Sequence, residues 1–280
     1  DEAIRYQIAE GLGDVLILRG RYEEAATFTA AARDLASTEI DKAQIEGKLG
    51  ELAFKQGDMK TAIDAIERAL KLLGCRIPLW SAGYLFRLLR EAIVQVMHSA
   101  FPRLFVGRRK LKHVERELLT IRLHHRLAYA YWFGRGQIPC LWTHLRCMNL
   151  AECYPPSAEL AQAYSMHAPV MGLVAYFSRG ISYAQRSFAV YKSLDDLWGQ
   201  GQSLHFHGIV LFAASRFDEC IEKCRDAVRL LERTGDYWEV NVARYHIAHS
   251  HYRLGELSSA VTEARQMHQS GLDLGDIQAS

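Results

Sequence analysis

The chain has 280 residues, of which 49% are hydrophobic, and its formal net charge is +2 at pH 7. This length and composition allow a sizeable hydrophobic core, while the near balance of charge argues against a nucleic-acid-binding protein. Its six cysteines form no CxxC pair and no signal peptide is recognisable, which is typical of reduced thiols in a cytoplasmic protein.

Residues 1–74 contain two predicted helical hairpins. Apolar residues recur at intervals of three and four positions, which is the period of an amphipathic helix, and strand-type alternation is lacking. Short turns that contain a glycine, "RGRY" and "QGDM", separate the two helices of each pair. We therefore predict the first two repeats of a helical array in this region.

Residues 75–113 interrupt the array. The first half of this insertion is predicted to be an amphipathic helix with Tyr84, Leu85, Leu88, Leu89, Ile93 and Val96. The second half is basic, with Arg103, Arg108, Arg109, Lys110 and Lys112. The favoured interpretation is a helix packed on the repeats and a solvated basic linker. A helix that docks on a partner or on a membrane surface is the less favoured alternative.

Residues 114–280 contain a second series of similar units. The pairs that match at one constant shift include Asp196 with Asp236, Trp198 with Trp238, Phe212 with Tyr252 and Ile221 with Val261. The shift is about 40 residues, and a fixed period in this range is typical of a solenoid. We predict repeats three to six here, followed at Asp276 by the start of a further repeat. Because the chain starts without Met, we expect it to be a fragment of a longer protein.

Two positions in every predicted repeat carry a small residue. The first-helix position is occupied by Gly13, Gly50, Ala128, Gly172, Gly208 and Ala248. The second-helix position, twelve residues later, is occupied by Ala25, Ala62, Cys140, Ala184, Cys220 and Ala260. Small side chains let two helix backbones approach closely where they cross. In the third and fourth repeats, the alignment is the one chosen to fit this rule.

The first two repeats resemble the tetratricopeptide repeat. Residues 11–36, "GLGDVLILRGRYEEAATFTAAARDLA", and residues 48–73, "KLGELAFKQGDMKTAIDAIERALKLL", match its small-residue, turn-glycine and alanine signature. The later repeats are longer than the usual unit and lack its terminal proline. The resemblance implies an all-α, right-handed α-solenoid of about six helix-turn-helix repeats, with a helical insertion after repeat two.

A second resemblance concerns the parent protein. "LAYAYWFGRG", "NLAECYPPSAELAQAY" and "LWGQGQSLHFHGIVLFAASRF" are similar to the helical region after the ATPase module of multidomain bacterial serine/threonine kinase–ATPase proteins. Long repeats with "RTGD"-type loops also resemble those of bacterial signal-transduction ATPases. This resemblance implies a scaffold or sensor arm of a signalling protein, with ATP binding and catalysis elsewhere in the parent chain.

The tetratricopeptide resemblance also implies which residues line a partner groove. In that family the first helices form a concave face, and positions two, five, nine, twelve and thirteen of the repeat point into it. Carried over, these positions give His125, Tyr129, Trp132, Phe133, Tyr176, Phe177, His205, Phe212, Tyr245, His249, Tyr252 and Arg253. Such an aromatic surface suits a peptide, a partner protein or another domain of the same chain. The alternative is a small-molecule-sensing domain that controls an adjacent ATPase or kinase.

Histidines and cysteines suggest two weaker candidate metal sites. His246 and His249 have i, i+3 spacing, and Cys220 and Cys224 could join His205 and His207 across two helices. Structural roles are favoured, because the matching positions of the neighbouring repeat are mostly apolar or small. We expect His249 to face the groove and His246 to lie off it. No phosphate loop, GxSxG or HExxH motif occurs, so we expect neither a cofactor nor catalysis in this region.

Overall fold

The computed structural model describes residues 2–112 and 114–274, and within these ranges the chain is all-helical. The helices are α1 (Glu2–Leu18), α2 (Tyr22–Leu35), α3 (Glu39–Lys55), α4 (Met59–Leu72), α5 (Ser81–Ala100), α6 (Pro102–Phe105), α7 (Glu115–Gly134), α8 (Gln137–Glu152), α9 (Ala158–Leu173), α10 (Phe177–Ser193), α11 (Leu197–Ala213), α12 (Phe217–Thr234), α13 (Tyr237–Leu254) and α14 (Leu257–Leu274). The predicted start of a further repeat at Asp276 lies outside the described residues.

Apart from α5 and α6 of the insertion, neighbouring helices pack as antiparallel pairs in a tetratricopeptide-like repeat fold, which confirms the predicted fold class. The chain divides into two compact units, one of Asp1–Ile17 and Arg21–Pro155 and one of Leu18–Gly20 and Pro156–Ser280. In the first unit α3 pairs with α4 and α7 with α8, and α5 packs on α8. In the second unit α9, α11 and α13 pair with α10, α12 and α14.

Turns and caps explain where the hairpins bend. The turn between the two helices of a pair contains a residue with positive φ at Gly20, Gly57, Gly136, Ala175, Ser215 and Gly255. A left-handed residue ends the first helix and reverses the chain, which glycine tolerates best. The acceptor side chains of Thr38, Asp58, Ser157, Asp196 and Asp236 cap the following helices. These polar side chains therefore mark the starts of α3, α4, α9, α11 and α13.

The structure corrects the predicted alignment of the fourth repeat. A Cβ added at Gly208 would lie 3.5 Å from the carbonyl oxygen of Cys220, twelve residues later. In the fourth repeat it is Gly180 whose added Cβ would lie 2.8 Å from the carbonyl oxygen of Ala168. Gly172 instead faces α11, against Ala213. The crossing pair is therefore Ala168 and Gly180.

This correction makes the repeat spacing regular. The first-helix crossing residues of repeats three to six become Ala128, Ala168, Gly208 and Ala248, separated by the same interval that relates Asp196 to Asp236. The second-helix crossing residues Gly180 and Cys220 also occupy equivalent positions in the first turn of their helices. Gly180 N donates to Tyr176 O and Cys220 N donates to Arg216 O, both at 3.0 Å. The predicted alignment is wrong by one helical turn, because Gly172 and Ala184 are also small.

A pair of alanine variants tests the corrected alignment. Gly172→Ala is expected to raise the free energy of unfolding by up to about 1 kcal/mol, because alanine favours helices and the new Cβ would lie at an ordinary distance, 3.6 Å, from Ala213 Cβ. Gly180→Ala is expected to lower it by about 1–2 kcal/mol, because the Cβ would meet backbone. Urea unfolding of both variants measures the difference. Equal effects in the two variants would contradict the corrected crossing.

The insertion helix α5 packs on α8 through its polar face. Asn149 Nδ2 donates to Glu91 Oε2 at 2.9 Å, and His98 Nδ1 lies 2.8 Å from Glu152 Oε2. Glu91 and His98 are both buried. In contrast, four of the six residues predicted for the apolar side of the helix are exposed: Leu85, Leu89, Ile93 and Val96. The helix does pack on the repeats as predicted, but its main apolar row faces outward.

None of the helices in the described ranges is long and apolar enough to span a membrane.

Candidate functional site

A cluster of histidine and aromatic side chains lies between α11 and α13 in the second unit. Phe212 of α11 packs its ring 5.9 Å from that of His246 and 6.3 Å from that of His249. Tyr245 contacts His249 edge-on, with ring centroids 4.2 Å apart. We call Phe212, Tyr245, His246 and His249 the His–aromatic cluster. The repeat period places α11 and α13 side by side and so brings these residues together.

A chain of buried polar groups lies beneath this cluster. Gln202 Nε2 donates to Glu239 Oε1 at 3.1 Å, and Glu239 Oε2 is 3.5 Å from His205 Nδ1. His205 Nε2 lies 3.2 Å from His246 Nδ1, which is also 3.0 Å from the carbonyl oxygen of Val242. Burial, with a smaller contribution from His205, lowers the pKa of His246 to about 3. His246 is therefore neutral at pH 7, and its Nδ1–H donates to the backbone.

The cluster has an exposed edge. Tyr245 is 45% exposed and Tyr252, two turns further along α13, is 61% exposed, with Arg253 exposed beside it. His249 is half-buried between them. Because Tyr245, His249 and Tyr252 are spaced by four and three residues, they share one stripe of the helix. This stripe offers ring faces and polar tips to solvent.

Two histidines do not lie where the sequence predicted. His246 was expected off the groove face, but it contacts Phe212 and His205, two of the predicted groove residues. His205 is only 1% exposed, so it supports the cluster from below instead of lining a surface. The sequence contains a signal for this pairing, because His205 and His246 are separated by almost one repeat period and so lie on adjacent first helices. Glu239 and Gln202 have no such signal.

The third repeat divides its predicted groove residues between core and surface. His125 is 5% exposed, and burial lowers its pKa to about 3, so it belongs to the interior. Tyr129 and Phe133 pack on Phe54 of α3, with ring centroids 6.1 and 6.0 Å apart. Phe133 and Trp132 are exposed at 62% and 41%. These two side chains therefore form the exposed aromatic part of the third repeat.

The fourth repeat's candidates do not lie on its first helix. Helix α9 ends at Leu173, whereas Tyr176 is the residue before α10 and Phe177 is its first residue. The one-turn alignment error explains the misplacement. In the corrected alignment Gly172 and Leu173 take the two positions, and of these only Leu173 offers an exposed apolar side chain.

The cysteine pair belongs to a helix crossing. Cys220 and Cys224 are fully buried with their Sγ atoms 3.9 Å apart, and Cys224 Sγ fills the space that Gly208 leaves open. The ring nitrogens of His205 face α13, away from the pair. Within the described ranges, no three His, Cys, Asp or Glu side chains are grouped so as to hold a metal ion.

Two open concavities lie elsewhere in the second unit. One of about 530 Å³ is lined by residues of α12, α13 and α14 that include Glu232, Arg244 and Asp273. The other, about 370 Å³, includes Arg225, His251 and Glu256. His251 bridges the other two, with Nδ1 2.5 Å from Glu256 Oε2 and Nε2 3.3 Å from Arg225. Neither concavity is lined by a predicted groove residue.

Solved structures similar to this chain share its fold. The Rap protein complexed with Competence and Sporulation Factor is 12% identical with a TM-score of 0.55, over 98% of this chain and 79% of its own. Aspartyl phosphate phosphatase F from Bacillus subtilis is 14% identical with a TM-score of 0.51, over 98% and 76%. No family model matches the chain, and no curated protein matches it.

A third similar structure spans more than the present chain. It is a signal-transduction ATPase with numerous domains, with a tetratricopeptide repeat sensor, from Pyrococcus horikoshii. The identity is 11% and the TM-score 0.50, over 94% of this chain but 35% of that one. At these identities the similarities show the tetratricopeptide-like fold alone.

Proposed function

We propose that this region is a binding scaffold that takes a peptide or partner protein on the first-helix face of its second unit. The observation that carries the proposal is the stripe of exposed Tyr245 and Tyr252 with half-buried His249 between them, above the part-buried His205–His246 contact. Tyrosines anchor protein interfaces well, since each supplies a large apolar area and a polar tip. The polar chain from Gln202 to Val242 restricts movement of the stripe, which lowers the entropy lost on binding.

The similar structures support this class of function. The Rap protein was solved in complex with a factor, and the Pyrococcus ATPase carries its repeats as a sensor. By analogy, a repeat array in this chain receives a partner and transmits its presence. The phosphatase is named as an enzyme, but we propose a non-catalytic role for this region, since the side chains of the His–aromatic cluster suit contact with a partner.

We further propose that the region is a cytoplasmic sensor arm of a multidomain signalling protein with an ATPase or kinase domain. The phrase-level resemblance of the sequence and the domain composition of the Pyrococcus ATPase motivate this proposal. We also propose that the three segments given by the sequence repeats, residues 1–74, 75–113 and 114–280, belong to one continuous helical array. Sequencing the coding region on both sides would reveal an ATPase or kinase module or overturn the proposed parent.

Alanine substitution of both Tyr252 and His249 is expected to weaken binding at least about tenfold, because two adjacent anchors of one stripe are lost. The probe is a peptide selected on the purified chain from a random phage-displayed library, and fluorescence anisotropy measures its Kd. The thermal midpoint should change little, since Tyr252 is mostly exposed.

Tyr176→Ala is the matched control. Tyr176 is 66% exposed, but the structure places it in a turn instead of on the first-helix stripe. Its loss should leave the Kd unchanged. Unchanged binding in the double variant, or a loss of stability with binding intact, would show that the stripe is not the binding face.

A small-molecule-sensing domain is the second candidate. The concavity of about 530 Å³ has the volume of a small-ligand site and a mixed lining that includes Arg244, Glu232 and Gln266. Its openness and its ion pairs, Arg244 with Glu232 at 3.1 Å and with Glu263 at 3.2 Å, favour it less than the aromatic stripe. Thermal-shift screening of metabolites, with Arg244→Ala as the control, separates the two candidates.

A further inference from the structure

Helix α5 presents an unpartnered apolar stripe to solvent. Phe86, Leu89, Ile93 and Val96 follow one another at spacings of three, four and three residues, and they are exposed at 72%, 57%, 66% and 65%. These spacings place them on one side of the helix, along roughly 15 Å of its axis. A contiguous row of large apolar side chains in water is typical of an interaction surface.

Further exposed apolar side chains flank both ends of the helix. Leu79 and Trp80 precede α5 and are 83% and 75% exposed. Phe101 and Leu104 follow it, at the start and within the short helix α6, and are 52% and 64% exposed. We call the exposed apolar side chains of α5 together with these flanking ones the α5 stripe. Its aromatic ends suit a boundary between an apolar layer and water.

Buried polar contacts fix the outward direction of the stripe. On the opposite side of α5, Glu91 accepts from Asn149 at 2.9 Å, and Arg146 lies 3.4 Å from the same carboxylate. One turn further, Gln95 and His98 bind Glu152 at 3.3 and 2.8 Å. Rotating the helix to bury its stripe would strip these groups of their partners, at high cost. The exposure is therefore part of the fold.

Positive charge is concentrated along α5 and beside its carboxyl end. Residues 79–112 contain seven Lys or Arg and one carboxylate, Glu91, which is buried and paired. Five of the cations lie in or next to the loop after α6 and are exposed: Arg103, Arg108, Arg109, Lys110 and Lys112. Arg90, at the edge of the stripe, is exposed as well. The segment that carries the stripe therefore has an excess of positive charge, even though Glu117 of α7 lies close enough to Arg109 to interact with it electrostatically.

The backbone holds the basic loop beside the end of α5. Gly107 N donates to Glu152 O and Arg109 N donates to Cys153 O, both at 2.8 Å. Helix α5 runs parallel to α8, because Tyr84 meets Trp142 while His98 meets Glu152. The carboxyl ends of both helices therefore lie near the loop, and their dipoles favour its cations there.

We propose that the α5 stripe and its basic loop dock this chain on an anionic membrane surface. Helix α5 lies in the plane of the surface, the stripe enters the headgroup–acyl boundary, and the loop cations contact acidic lipid headgroups. An apolar helix face flanked by Lys and Arg is the arrangement that interfacial helices use. One surface thereby supplies both the apolar layer and the negative charge.

A second copy of the chain fits the same surface poorly. Two-fold pairing through the stripe would be self-complementary and would place one set of seven cations close to another. Like charges brought together across an interface oppose association. The excess positive charge thus favours an anionic binding partner. The linear, exposed stripe favours a partner with an extended apolar layer, as a membrane has.

Vesicle cosedimentation tests the proposal with the whole chain. The probes are vesicles of phosphatidylcholine alone and vesicles in which a third of the lipid is phosphatidylserine. The chain is expected to sediment with the anionic vesicles, to bind the neutral ones about tenfold more weakly, and to lose affinity as salt is raised.

Two sets of variants separate the apolar from the charged contribution. The apolar variant combines Phe86→Ser with Ile93→Ser, and the charge variant combines Arg108→Gln, Lys110→Gln and Lys112→Gln. Each variant should bind anionic vesicles about tenfold more weakly, or weaker still. Ile8→Ser with Val15→Ser is the apolar control, because these α1 residues are similarly exposed, at 57% and 54%, without a basic run. The charge control replaces the exposed Lys60, Lys71 and Lys192 by Gln.

Circular dichroism of every variant checks that helicity is retained, which is expected since all the changed side chains are exposed or lie at the helix surface. No sedimentation with anionic vesicles at low salt would overturn the proposal, as would equal losses in the control variants. Light scattering provides one further outcome. A dimer that Phe86→Ser with Ile93→Ser dissociates, without vesicle binding by the parent, would assign the stripe to a second copy and overturn the membrane assignment.

Discussion

Gly208→Leu is expected to lower the free energy of unfolding by about 3 kcal/mol, at the upper end of the range for overpacking. Even a single Cβ at this position would lie 2.5 Å from Cys224 Sγ, and Cys220 and Cys224 are fully buried, so neither helix has free space to accept it. Ala260→Leu, at the corresponding second-helix position of the sixth repeat, is expected to cost nearer to about 1 kcal/mol, because Ala260 keeps 9% of its surface exposed. Urea unfolding measures both.

The sixth repeat suggests a second substitution that should restore the stability lost by enlarging Gly208. One repeat after Gly208 and Cys224, the chain carries Ala248 and Ala264. Gly208→Ala alone should destabilise, whereas Gly208→Ala with Cys224→Ala reproduces the combination of the sixth repeat and should recover about 1 kcal/mol in a double-mutant cycle. Additive effects of the two changes would show that the two side chains are not in contact at the crossing.

Acidification from pH 7 to pH 5 is expected to destabilise the chain by several kcal/mol. Burial is the main cause that lowers the pKa of five histidines: His124, His144 and His207 to about 4, and His125 and His246 to about 3. In the unfolded chain, histidine titrates near pH 6.5. Below that pH the unfolded state therefore binds protons that the folded state does not.

The sign of the effect follows from that difference. The stabilisation contributed by each neutral histidine is fully present above the pKa that the histidine has in the unfolded chain. It is lost as the pH falls towards the pKa of the same histidine in the folded chain, at up to about 1.4 kcal/mol per pH unit. Urea unfolding at pH 7, 6 and 5 measures the slope. A flat profile would show that these histidines are accessible to protons in the folded chain.

Replacing one histidine tests the assignment to particular residues. His246→Phe is a conservative change, because the equivalent position one repeat earlier is occupied by a buried phenylalanine, Phe206. The loss between pH 7 and pH 5 should shrink by about 1–2 kcal/mol. His268→Gln is the control, because it also removes one histidine but from an exposed position on α14, and His246→Phe should reduce the slope more than this control does. Equal slopes in all three proteins would remove His246 from the explanation.

The candidate site was only partly predictable. The stripe of Tyr245, His249 and Tyr252 follows from helical spacing, and the structure does place Phe212 beside two of the cluster's members. Burial does not follow from that spacing. His125 and His205 occupy the same repeat position as the exposed Tyr245, yet neighbouring helices cover them, because the side chains of the adjacent repeat decide how much of each position stays open.

Local chemistry in the sequence determined the helices, the turns and the period. The sequence shows apolar residues at spacings of three and four, capping Asp and Ser, and small residues at the helix crossings. Each of these signals can be read from a short stretch of sequence, so a single sequence is enough to predict an all-α repeat fold. The fourth repeat's alignment was ambiguous, since small residues one turn apart, Ala168 and Gly172, satisfy the same local rule.

Only the tertiary structure decided which side of α5 faces solvent. The helix has an apolar row, Phe86 to Val96, and a polar row with Glu91, Gln95 and His98, and amphipathicity alone assigns the apolar row to the core. The decision depends on polar side chains of α8, which is distant in sequence and whose Asn149, Arg146 and Glu152 bind the polar row. A buried charge is stable only where its partners are, and those partners are brought together by packing, not by sequence spacing.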